Sequence, residues 1–138
     1  MKDILWNQNF SMGSPIIDAH HQKLIGYIND LDHAIEGRKA SAQYLLELAQ
    51  KLHDYTQYHF KVEEEYMQRF GYPEFEAHRD EHEAFIAEVV RLKQSLATDA
   101  RGAGVRLTSY LKSWLIQHIL VIDKEYAIYY EQKGLHVD

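Results

Sequence analysis

Apolar positions along the chain advance in alternating steps of three and four over four long stretches, the mark of helices that each turn one face to a common core. The first stripe is Ile17, Leu24, Ile28, Leu31 and Ile35. The second is Leu45, Leu48, Leu52 and Tyr55, continuing through Tyr66 and Phe70. The third holds Phe75, Phe85, Val89, Leu92 and Leu96, and the fourth Leu107, Leu111, Trp114, Val121 and Ile122. Local signals set the ends. Ser14-Pro15 is a capping hydroxyl followed by proline at the first helical position, which predicts a helix over 15–36 that ends before Gly37. The second helix is expected over 41–69, stopped by the Phe70-Gly71-Tyr72-Pro73 turn, the third over 74–97, and the fourth over 105–132, ending at Gly134. The segment Thr98–Gly104, with two glycines, reads as a loop and not as a phosphate cradle, because no strand precedes it. Residues before Ser14 have no clean period and read as an extended arm pinned by Trp6 and Phe10. Four helices with short connections imply antiparallel neighbours. The expected fold is therefore all-α, an up-down-up-down antiparallel four-helix bundle with an N-terminal extended arm, a single domain over 1–138.

Histidines fill the gaps in these stripes. His21 falls between Ile17 and Leu24, His59 follows Tyr55 by four, His78 and His82 fall between Phe75 and Phe85, and His118 lies between Trp114 and Val121. Unpaired polar groups at such core positions cost on the order of 1–3 kcal/mol each, so these imidazoles need a common partner. Two carboxylates join them. Glu63 follows His59 by four and shares its helix face, the same spacing that relates His78 to His82. Asp123 follows His118 by five, an awkward angle of about 140° that calls for a local widening of the helix. In an antiparallel bundle the starts of the first and third helices share a level with the ends of the second and fourth. At a rise of about 1.5 Å per residue, all these side chains fall within roughly two turns of one another.

Imidazole and carboxylate suit iron, zinc, copper or manganese, so donor type leaves the metal open. Donor number says more. Five histidines and two carboxylates are too many for one ion. They fit two six-coordinate ions bridged by Glu63, Asp123 and an oxide or hydroxide, with one position left over for a small ligand.

Composition narrows the field further. A net charge of −6 with no cluster of Lys and Arg argues against a nucleic-acid partner. The absence of cysteine excludes disulfides, thiolate metal sites and cysteine nucleophiles. The opening MKDILWNQNF lacks the apolar run of a signal peptide, and no stretch of eighteen apolar residues occurs, so no membrane role and a cytoplasmic location are expected. His20, His33, His53 and His136 read as surface histidines, and Glu64 and Glu65 as a solvated face. Asp18 either orients His21 or favours the helix dipole. Tyr126 either hydrogen-bonds a ligand carboxylate or packs with its hydroxyl in solvent.

The chain resembles the bacterial hemerythrins over nearly its whole length. The resemblance is carried by Trp6, Ile17-Asp18 with His21 and Leu24, His59-Phe60 with Glu63-Glu64 and Met67, and Tyr72-Pro73. His78 with His82, and Trp114-Leu115 with His118-Ile119, Asp123 and Tyr126, complete it. It implies a non-haem di-iron centre, two irons with an oxo or hydroxo bridge. His78, His82 and His118 would bind a coordinatively full iron, His21 and His59 the open one, and Glu63 and Asp123 would bridge them. Dioxygen would bind the open iron end-on as hydroperoxide, taking two electrons from the diferrous pair and the proton of the bridging hydroxide. Leu24, Phe60, Trp114, Leu115 and Ile119 match the family's apolar oxygen pocket. The implied function is reversible dioxygen binding for storage, transport or delivery, not catalysis, with a protein oxygen acceptor as a further candidate partner. A di-iron oxidase, peroxidase or nitric-oxide scavenger, or an oxygen or iron sensor, is the alternative on the same scaffold. His20 stands where the family usually has glutamine, but the stripe favours His21 as the ligand, and Tyr66 stands where leucine is frequent.

Overall fold

A computed structural model describes residues 3–37 and 41–137. After a short 3-10 turn at Gln8–Phe10, helix α1 spans Pro15–Glu36, α2 Ala42–Arg69, α3 Phe75–Ser95 and α4 Ala100–Gln117. A π-helical turn, His118–Asp123, joins α4 to α5, Lys124–Lys133, so these three segments form one continuous fourth rod. No strand occurs among the described residues. Neighbouring rods touch in a closed ring, α1 on α2, α2 on α3, α3 on α4 and α4 on α1, which is the four-helix bundle that the stripes require.

The ends follow their capping chemistry. Ile17 N–H donates to Ser14 Oγ at 3.2 Å and Tyr44 N–H to Ser41 Oγ at 3.1 Å, each satisfying an orphan donor of a first turn. At the α2 end Gly71 takes a left-handed φ of 64°, which lets Tyr72 N–H reach back to the Met67 carbonyl at 2.9 Å.

The fourth rod ends at Gly134 as expected but departs from expectation at its start and at its middle. Its helix starts at Ala100, not 105, with Asp99 Oδ1 accepting from Gly102 N–H at 3.1 Å. The glycines that suggested a loop serve packing instead. A Cβ on Gly104 would meet Ile35 Cδ1 at 2.8 Å, so glycine there lets α4 approach α1. Val121, expected on the core stripe, is 50% exposed. The π turn adds residues per turn and rotates Val121 outward while Ile119 and Asp123 become fully buried.

The arm is held at several points. Phe10 is buried and stacks on half-buried Trp6 at 5.6 Å, and Ile4 exchanges two backbone hydrogen bonds with the Asn29 amide, 3.0 and 2.9 Å long. Asp18 lies in the first turn of α1, the helix-dipole alternative, and makes no hydrogen bond to His21. Its carboxylate accepts from Ser11 Oγ and Met12 N–H, both at 2.7 Å, and so ties the arm to α1. The sequence stripes also missed a buried ion pair, Lys112 Nζ to Asp32 Oδ2 at 2.7 Å, which clamps α4 to α1.

Most of the apolar interior is one cluster running from Ile4 and Phe10 to Leu107 and Leu111. A second, small cluster of Met67, Tyr72, Tyr126 and Tyr130 closes one end of the bundle. The histidine-rich layer lies between the two.

Candidate metal centre

All seven side chains singled out from the spacing are buried, and they converge on one place. Donor atoms of Glu63, His78, His82 and His118 lie within 4.8 Å of one another, and those of His21, His59 and Glu63 form a second such group. Asp123 connects the two halves. Its Oδ1 lies 3.0 Å from His78 Nε2 and 2.9 Å from His118 Nε2, and its Oδ2 lies 3.1 Å from His21 Nε2. Glu63 turns Oε1 to both halves, 3.0 Å from His59 Nε2 and 3.7 Å from His82 Nε2. The π turn makes this possible. It places Asp123, five residues after His118, on the same inner face, the widening that the spacing demanded.

These short separations are not hydrogen bonds. His21 Nε2, His78 Nε2, Glu63 Oε1 and both Asp123 oxygens are buried without a hydrogen-bond partner. Buried polar atoms left in this state are costly unless something else satisfies them. Donors about 2.1 Å from a cation at the corners of an octahedron stand about 3.0 Å apart along its edges. Four of the separations, 2.9, 3.0, 3.0 and 3.1 Å, match such edges, as lone pairs aimed at shared points would give. The residues fit a metal centre with imidazole and carboxylate donors.

Without a cation, protons take part of its place. Burial alone would lower the His118 pKa, but the adjacent Asp123 carboxylate overrides it and pushes it up to about 10. Burial likewise favours neutral Asp123, and the His118 charge outweighs that and holds Asp123 well below the usual carboxylate range. Glu63, opposed by burial and by Asp123, is held down at about 2 by His59 and His82. An anionic core of two carboxylates therefore stands ready for positive charge.

Several further groups brace the donors. Tyr126 is buried and donates its hydroxyl to Glu63 Oε2 at 2.5 Å, the hydrogen-bonding one of its two expected roles. Burial and the nearby Glu63 and Asp123 charges raise its pKa well above the ordinary phenol value, so it stays a donor. His20, expected on the surface, is buried with Nδ1 2.8 Å from His59 Nδ1. Burial first, then the neighbouring His59, lower its pKa to about 4, so His20 is neutral. Glu64, expected on a solvated face, reaches His82 Nδ1 at 2.8 Å. The signal for His20 was present, an imidazole in place of glutamine beside a core histidine. Glu64 gave no periodic signal, because its partner lies on another helix, and its place in the family pattern beside Glu63 was the hint. His33 and His136 are exposed, as read, while His53 is half-buried and lies 3.2 Å from the Asp54 carboxylate.

The apolar residues expected around the centre lie in the main cluster. Leu24, Phe60, Leu115 and Ile119 are buried there, and half-buried Trp114 packs against them. Phe60 stacks face to face on His82 at 3.6 Å and Trp114 on His118 at 4.2 Å, so two of the five cover the three-imidazole half directly.

A four-helix bundle whose helices each send imidazole or carboxylate donors into one buried layer is a metal-binding bundle. Residues 12–128 match the Hemerythrin HHE cation binding domain, and the chain belongs to the hemerythrin family. A bacteriohemerythrin of Stenotrophomonas maltophilia is 33% identical over 90% of this chain and 79% of its own length. One from Pseudomonas aeruginosa is 32% identical over 92% and 81%. A crystal structure of a hemerythrin mutant superposes with a TM-score of 0.79 at 26% identity, covering 92% of this chain and 96% of that one. No described helix is long and apolar enough to cross a membrane.

Proposed function

We propose that this chain holds two iron ions among His21, His59, His78, His82, His118, Glu63 and Asp123, and binds dioxygen there reversibly. The observation that carries this reading is the pair of donor groups sharing Glu63 and spanned by the two oxygens of Asp123, at separations that fit coordination edges and lack hydrogen-bond partners. Family membership and relatives that bear the name bacteriohemerythrin support it. An iron pair supplies two electrons and an open position for a diatomic ligand.

The protein's own side chains do the rest. Asp123 offers one oxygen to each half, and Tyr126 fixes the outer oxygen of Glu63, so both carboxylates are set before any ion enters. The stacked rings of Phe60 and Trp114, with Leu24, Leu115 and Ile119, surround the imidazoles with apolar atoms and keep water and protons out. Exclusion of protons slows the loss of reduced oxygen that would leave the centre oxidised. Five imidazoles with two carboxylates carry less anionic charge than the oxygen-activating bundles built on four Glu and two His, so binding is favoured over oxidation.

Iron analysis and visible spectra test this on protein reduced without air, then exposed to air, then returned to argon. About two irons per chain, a charge-transfer band in air and its loss under argon are expected from the donor count above. Two irons with rapid irreversible oxidation would move the function to an enzyme or to a pocket too open to protect its ligand. No iron would remove the assignment.

A further inference from the structure

The imidazoles are unequally backed on their outer sides. In the half that holds His78, His82 and His118, one ring has a carboxylate within hydrogen-bond reach behind it. Glu64 Oε2 is 2.8 Å from His82 Nδ1, whereas Glu81 Oε2, 3.4 Å from His118 Nδ1, makes no hydrogen bond with it. Among the described residues no carboxylate hydrogen-bonds the outer nitrogen of His21 or of His59. His59 Nδ1 meets the Nδ1 of His20 at 2.8 Å, and His21 Nδ1 is buried without a hydrogen-bond partner. A ligand imidazole keeps its lone pair on Nε2 and its hydrogen on Nδ1, so His59 donates and His20 Nδ1 accepts. The ring of His20 is fixed in place between Tyr55 and Tyr58, with centroids 5.9 and 5.5 Å away.

A carboxylate that accepts the outer N–H pushes electron density toward the ligating nitrogen and raises its basicity. A neutral imidazole does this weakly, and a missing partner not at all. We propose that this difference makes the centre load in order. The first cation enters the half of His78, His82 and His118, made tight by Glu64. The second enters the half of His21 and His59 more weakly, with His20 as the positioning residue that sets the tautomer and ring angle of His59. This rests on the reading that the cluster takes two cations.

The shared carboxylates do not undo the order. Tyr126 and the π turn already hold Glu63 and Asp123 in place, so the first cation has little left to organise for the second. That first cation also neutralises charge on the very carboxylates the second must use. The second position is consequently the exchangeable one, open to a different divalent ion from the first.

The test is a titration of the full, metal-freed chain with ferrous iron, and separately with cobaltous ion, against a competing chelator without air. Two resolved steps of about one equivalent each are expected. Glu64→Gln weakens the tight step about 10–100-fold and leaves the weak step in place. His20→Leu weakens the weak step by a similar factor, and His20→Gln, which still offers an acceptor, restores it. The split between steps separates positioning from a general loss of structure. Should His20→Leu fail to fold, Glu64→Gln decides alone, since the Glu64 side chain is 24% exposed and lies at the edge of the core. Two equivalents entering the natural chain in one unresolved step, Glu64→Gln acting on the weak step, or both steps moving equally would overturn the order while leaving a two-ion centre. A chain that never takes more than one equivalent would overturn the two-cation reading itself.

Discussion

Replacing Tyr126 with phenylalanine deletes one oxygen and nothing else that packs. The ring lies 5.1 Å from Tyr130 and 5.7 Å from His78, contacts that phenylalanine keeps. What is lost is the 2.5 Å hydrogen bond to Glu63 Oε2, made in a place with no access to solvent. Glu63 is ionised there, held at about 2 against burial and Asp123 by His59 and His82, so the bond is of the charge-assisted kind. Such a bond contributes about 1.5–3 kcal/mol, and its loss leaves a carboxylate oxygen buried and unpaired. With a urea slope of about 1–3 kcal/mol/M, the unfolding midpoint of the metal-freed chain should fall by about 1 M at unchanged slope. The assay is urea unfolding followed by far-UV circular dichroism at pH 7, natural chain against Tyr126→Phe. A change below about 0.5 kcal/mol, the scale of an ordinary surface substitution, would refute the reasoning, because it would mean that Glu63 finds another donor or is protonated at no cost.

Two further outcomes follow from buried charge. Lys112→Met leaves Asp32 buried without its cation and should destabilise by about 3–5 kcal/mol, whereas the double change with Asp32→Leu recovers most of that loss. A single-variant cost under about 1 kcal/mol in the same urea assay would show that the clamp contributes little. The metal-freed chain should also lose stability in base. His118, raised to about 10 by Asp123 against the pull of burial, binds a proton more tightly folded than unfolded. Its stabilisation is complete below its unfolded value of 6.5 and is lost as pH rises through about 10, so urea midpoints should fall across that window. A flat profile over the same range would contradict the His118–Asp123 pairing in the metal-free state.

How much of this was legible in the chain depends on whether the information is periodic. Ile17, Leu24 and Ile28 on one rod, or Leu107 and Leu111 on another, announce their face by spacing alone, and the bundle follows. The histidines were legible for the same reason, since each interrupts a stripe whose phase the apolar neighbours had already set. Asp123 was half legible. Its spacing from His118 gave the wrong angle for a regular helix, and the π turn that corrects it also turned Val121 out to 50% exposure, where a regular stripe had placed it in the core. A helix of constant period cannot describe residues on both sides of such a turn.

The groups behind the donors obey no period at all, and this explains why they were misread. Glu64 stands about 100° around the helix from Glu63, a direction that faces solvent on an isolated α2 and faces His82 once α3 is in place. His20 sits one residue from the layer and becomes buried only because His59, on α2, closes over it. Asp18 is a first-turn charge, as its position announces, but its second role of holding the arm comes from Ser11 and Met12. In each case a single helix fixes the direction of a side chain, but the partner that gives it a role comes from elsewhere in the bundle. The donors are encoded within helices and their braces between them. Substituting a brace would therefore tune the buried cluster while its seven imidazole and carboxylate side chains stay in place, and His20, which stands where the family usually has glutamine, is the brace at which this chain departs from that pattern.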